Sequence, residues 1–114
     1  MMLLADDRAL RMAQLINEAR SEEGLEPLMV EVHLNEAARV QSEYMNEIND
    51  ISPEGPHGSS IADRAREAGF DFSGNWRVTE NVGFLQGFGA FDDEALVFMH
   101  EAFMESHDHY QNIM

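Results

Sequence analysis

Apolar residues recur three and four positions apart near the start of the chain. Ala9, Met12, Ile16 and Ala19 share one face and Leu15 widens it, the spacing of an amphipathic helix. This helix is predicted from about Asp6 to Glu22, with Asp6 and Asp7 supplying a cap and favourable dipole charge. Gly24 is placed to stop it, and Pro27 keeps it from resuming. A second stripe, Leu34, Ala37, Ala38, Gln41, Met45 and Ile48, predicts a helix over about Val32 to Ile48. Ser52, Pro53, Gly55, Pro56 and Gly58 then crowd together in a loop that contains His57. A short third helix follows from about Ser59 to Ala68, capped by serine and stopped by Gly69.

Between Phe70 and Ala90 the helical period disappears. Phe70 and Phe72 alternate with polar residues, and Asp71 to Asn75 reads as a turn. Val78, Glu80 and Val82 alternate with Thr79 and Asn81, which predicts a short strand or extended segment carrying Glu80. Gly83, Gly87 and Gly89 mark a loop with no phosphate-binding pattern around it. The last predicted helix begins near Asp92 or Asp93, turns Leu96, Met99 and Phe103 inward, and ends around Glu105 to His107. The expectation is a mainly α chain, residues 1–114 forming one domain around a single core.

Composition narrows the function. Seven basic side chains stand against 22 acidic ones, a formal charge of −15. Such a surface repels phosphate backbones and anionic membranes, so nucleic acid is excluded as a main partner. With 44% hydrophobic residues the acidity does not signal disorder. Every basic residue is Arg and Lys is absent; adaptation to high salt and GC-rich codon usage explain this equally well. Cys is also absent, which leaves no disulfide framework and no redox clue to compartment. The opening Met1 to Arg8 has neither the charge of a signal peptide nor the length of a membrane span.

The order of motifs is more specific. Ile16-Asn-Glu-Ala-Arg20, Gly24-Leu-Glu-Pro-Leu28, Leu34-x-x-x-Ala38 and Ser42-x-x-Met45 resemble the opening of a bacterial CAP domain. This SCP-like superfamily comprises cysteine-rich secretory proteins, antigen 5 and pathogenesis-related 1 proteins. The resemblance continues through His57-Gly58, an Arg at 64 or 66, Gly69, and Glu80-Asn81-Val82-Gly83. It closes on Ser106-His-Asp-His109-Tyr-Gln-Asn112-Ile113. The resemblance implies an α-β-α sandwich, here C-terminally incomplete: about four helices with at most a rudimentary sheet. An unpaired strand over Val78 to Val82 would then expose an edge for self-association. Phe103 stands where the family usually has Trp, and His107 adds an imidazole beside His109.

By resemblance His57, Glu80 and His109 converge on one cleft, although they lie far apart in sequence. Two imidazoles and a carboxylate suit a divalent metal such as zinc and leave a position for water. The competing reading is structural: the His caps backbone groups in its loop, and Glu80 is a buried hydrogen-bond hub holding that loop. In eukaryotic members a second Glu on the last helix completes a tetrad of two His and two Glu. Here Ser106 takes that place with Glu105 beside it, about 100° round the helix. Ser106, Glu105 and His107 are therefore cleft candidates.

Other patterns fail on inspection. His100-Glu101 opens like a metalloprotease helix motif, but Met104 occupies the position of the second His. His100 and His107 read as half-buried polar edges, Glu101 as part of a solvated stripe, and His33 as a surface residue. Asp71, Ser73 and Asn75 start like a calcium loop, but Trp76 and Val82 stand where Gly and Glu are needed. Phe84, Phe88, Phe91, Phe98 and Phe103 read as core, with an apolar ligand groove as the alternative.

Two functional readings remain. The first is an extracellular binding or interaction module for a protein, lipid or small-molecule ligand, with no transmembrane segment. The second is a metal-dependent hydrolase of peptides or lipids with Glu80 as general base. The absence of an obvious nucleophile or complete ligand set favours the first.

Overall fold

The computed structural model describes residues 7–74, 77–83 and 93–114. Among them are five α-helices: α1 (Asp7–Glu22), α2 (Val32–Ile48), α3 (Ile61–Glu67), α4 (Asp93–Glu105) and α5 (His107–Ile113). A 3₁₀ turn lies at Pro56–Gly58. No strand occurs among the described residues, and Val78 to Val82 carry no regular structure. Asp6, Asn75, Trp76, Asp92 and the stretch holding Phe84, Gly87, Phe88, Gly89 and Phe91 lie outside the described residues. The chain divides into two units: Met1–Val30 with Leu85–Met114, and Glu31–Phe84. No helix among the described residues is long and apolar enough to cross a membrane.

In the first unit α1 packs on α4, and α4 on α5. Leu15 and Ile113 are the buried apolar side chains among its described residues. α1 ends as its sequence predicts. Leu25 N–H donates to the Arg20 carbonyl and Gly24 N–H to that of Ser21, the paired bonds of a Schellman stop. Gly24 has φ +74°, a conformation that disfavours a side chain. The chain beyond is tied back to α1. The Asn17 carboxamide accepts from Leu28 N–H at 2.8 Å and donates to the Leu28 carbonyl at 3.1 Å. Arg20 donates to the carbonyls of Glu26, Ile113 and Met114 at 2.8, 2.8 and 3.0 Å. The Arg11–Asp93 ion pair at 2.7 Å is surface-exposed, and such pairs contribute little.

His100 departs from its expected place at a half-buried edge. It is buried in the first unit, and its Nδ1 has no hydrogen-bond partner. Burial pushes the imidazole pKa down, outweighing the opposing pull of Glu101 and Glu18. An unfolded chain takes up a proton near the ordinary imidazole value of about 6.5, whereas the folded chain resists it. The stability that neutral His100 contributes is therefore complete above that pH and declines as pH falls toward the folded value. Thermal melts between about pH 7.5 and 5.5 should show Tm falling with acid, and His100→Phe should flatten the slope. An unchanged slope in the variant would assign the acid sensitivity to other groups.

In the second unit α2 packs on α3. Glu31 caps α2 by accepting from Leu34 N–H at 2.8 Å. Ser60 and Asp63 form a reciprocal capping box at the start of α3. The buried face of α2 is narrower than its apolar stripe suggests. Ala37, Gln41 and Met45 are buried, whereas Leu34, Ala38 and Ile48 are exposed. A buried Gln in that row is the first sign that this core is built around polar bonds, and those bonds all reach one loop.

Candidate functional site

The loop between α2 and α3 is closed on itself by Gly55 N–H to the Ser59 carbonyl, Gly58 N–H to that of Gly55, and Ser59 N–H to that of Pro56. At its crest His57 adopts a left-handed conformation, φ +58° and ψ +27°, which non-glycine residues adopt only when their surroundings enforce it. The enforcement comes from two buried side chains. Gln41 on α2 donates its Nε2 to the Ser52 carbonyl at 2.7 Å and to that of Glu54 at 3.2 Å. Arg64 on α3 donates Nη1 to the Ser59 carbonyl at 2.8 Å and to that of Pro53 at 3.3 Å. His57 itself is exposed.

Arg64 also fixes Glu80. Its Nη2 stands 3.0 Å from both carboxylate oxygens. The Arg64 side chain is 2% exposed and that of Glu80 22%. A buried guanidinium needs a counter-charge and hydrogen-bond partners; Glu80 supplies the charge and, with the two loop carbonyls, accepts from both terminal nitrogens. Arg66, two residues on, points elsewhere: it lies 5.2 Å from the Phe72 ring centre and 3.6 Å from Asp63. Of the two arginines that fit the motif, Arg64 is the interior one.

The packing around this grip leaves no slack. A Cβ on Gly55 would sit 2.6 Å from Gln41 Oε1, 2.7 Å from Ser59 Oγ and 2.9 Å from Arg64 Cδ. Gln41 Oε1 and Ser59 Oγ are buried and have no hydrogen-bond partner.

The other expected site residues fall in the first unit. His109 on α5 packs against Phe103, ring centres 4.9 Å apart and planes tilted by 42°. Ser106 is the N-cap of α5 and makes no side-chain capping bond. Glu105 ends α4 and His107 begins α5, both exposed. The second unit thus brings Glu80 to the His57 loop through Arg64, while His109, Ser106, Glu105 and His107 belong to the first. Within neither unit do the described residues gather three or more His, Asp or Glu side chains in a metal-holding group.

The motif order and this helical architecture have a counterpart among known families. The model of CAP, the cysteine-rich secretory protein family, matches residues 13–114, and the chain belongs to that family. No curated protein and no solved structure matches the chain. The family takes its name from cysteine, yet this member has none. Its His-bearing loop is fastened by Gln41 and Arg64.

Proposed function

We propose that this CAP chain is an extracellular binding or interaction module in which Glu80 has a structural task. Glu80 neutralises Arg64, Arg64 and Gln41 hold the loop, and the loop presents His57 to solvent. One observation carries this reading: both Glu80 oxygens face Nη2 of the buried guanidinium whose other terminal nitrogen, Nη1, anchors the loop. A general base or metal ligand would have to surrender one of those contacts. A divalent ion would also arrive beside a fixed positive charge at close range, an unfavourable approach. Of the three expected ligands, the described residues of the second unit hold His57 and this committed carboxylate, a set that by itself does not fit a metal. The extracellular setting is supported by family membership, since CAP proteins are often secreted.

Calorimetric titration of zinc into the wild-type chain, with His57→Ala and His109→Ala alongside, tests this directly. The expected result is no saturable one-site binding in any of the three, each folded by circular dichroism. One-site binding lost in both variants would overturn the structural role. Metal-dependent hydrolysis of peptides or lipids, lost in a folded Glu80→Gln, would establish the enzyme instead.

A further inference from the structure

Past the end of α1 the chain presents large apolar side chains to water. Leu25 is 38% exposed, Leu28 50%, Met29 92% and Val30 40%. The way α1 holds this segment determines which backbone groups remain available. Asn17 bonds both the N–H and the carbonyl of Leu28, which requires the two groups to point the same way, as they do in a strand. In an extended chain the N–H and carbonyl of the next residue point together to the opposite side. Met29 and Val30 make no hydrogen bonds of their own. The Asn17 carboxamide thus occupies one edge as a neighbouring strand would, and Met29 offers the paired donor and acceptor of the other edge.

The charge around this edge selects its partner. Glu22, Glu23 and Glu26 precede it within seven residues of chain, all exposed and none ion-paired. The nearby Arg20 is turned toward carbonyls. A second copy of a chain of charge −15 is repelled here, and an acidic peptide likewise.

We propose that Met29 is the docking point for an extended cationic peptide, one that alternates Lys or Arg with aliphatic residues and adds as a strand. Its backbone pairs with Met29, its aliphatic side chains cover Leu28 and Val30, and its basic side chains meet the three glutamates. The proposal does not depend on the role assigned to Glu80.

Fluorescence anisotropy with a labelled, capped Lys/Val alternating decapeptide tests this. Three comparisons matter: the Glu/Val counterpart, the Lys/Val peptide with its central amides N-methylated, and the chain carrying Met29→Pro. Proline removes an N–H that the fold does not use, and the two Asn17 bonds to residue 28 fit the extended form that proline demands of its predecessor. Saturable binding of the Lys/Val peptide is expected, at least about tenfold tighter than the Glu/Val or the N-methylated peptide. Met29→Pro should weaken it by a similar factor while melting as wild type does. Equal affinity for the N-methylated peptide would show mere charge attraction and overturn strand addition. So would an unaffected Met29→Pro. Sedimentation showing a wild-type dimer that Met29→Pro dissociates would give the edge to a second copy and overturn the cationic partner.

Discussion

Arg64→Ala should lower the stability of the chain by about 3–5 kcal/mol, the usual cost of breaking a buried, hydrogen-bonded ion pair from one side. The substitution removes the donors to Ser59, Pro53 and Glu80 together. It also leaves a cavity beside Gly55, against which Arg64 Cδ packs. A domain of this size has about 5–15 kcal/mol in total and loses roughly 4–8 °C of Tm per kcal/mol. A fall in Tm of at least about 12 °C is therefore expected by differential scanning fluorimetry. Proteolysis should shift to the loop that carries His57, since its remaining side-chain anchor is Gln41. Glu80→Gln should act in the same direction by leaving the buried guanidinium without its counter-charge. A double-mutant cycle over the two positions should show strong coupling. A change of under about 1 kcal/mol for Arg64→Ala, the size of a surface pair, would contradict the burial on which this rests.

Gly55→Ala is the second large effect. The added methyl would lie under 3 Å from Gln41 Oε1, Ser59 Oγ and Arg64 Cδ, and two of these atoms cannot easily retreat. Gln41 is held by two carbonyls and Arg64 by two more and a carboxylate. Ser59 Oγ alone can rotate away. The loop must therefore shift bodily, at a cost of about 2–3 kcal/mol, the upper part of the usual range for overpacking. Urea unfolding should show this as a lowered midpoint with an unchanged slope. Ser59→Ala is the matching control. Its hydroxyl has no partner, so removing it should be nearly neutral. A neutral Gly55→Ala would mean that the loop is not pinned as tightly as its contacts indicate.

Much of this was legible in the residues. The bounds of α2 and the stops at Gly24 and Gly69 follow from spacing and from local backbone chemistry, which act over a few residues. α5 was not legible as a helix, because His107–Ile113 is short and largely polar, with no apolar stripe to mark its period. The short strand or extended segment expected over Val78 to Val82 shows what alternation leaves open. Period two marks a segment able to pair, but a strand also needs a neighbour, and none pairs with it among the described residues.

Within the site, His57 and Glu80 could be singled out but the residue joining them could not. The signal for Arg64 was nonetheless present. Ile61, Ala65 and Ala68 mark the inward face of α3, and that face includes position 64 but not 66. Gln41 likewise sat in the apolar row of α2, where a polar side chain implies a buried bond to make. What periodicity cannot supply is the far end of such a bond. Glu80 lies 16 residues from Arg64, and only the folded chain shows which carboxylate neutralises which buried cation.

The division of the chain also sets an order of events at the ribosome. The segment Glu31–Phe84 is continuous, so α2, α3 and the clasp between them can close soon after emerging. α1 emerges earlier yet has its packing partner, α4, in the last quarter of the sequence. Its apolar face must wait through the synthesis of everything between, with the entropy of closing a long loop still to be met. During that interval the amphipathic face of α1 stays open to chaperones, proteases and other translating copies.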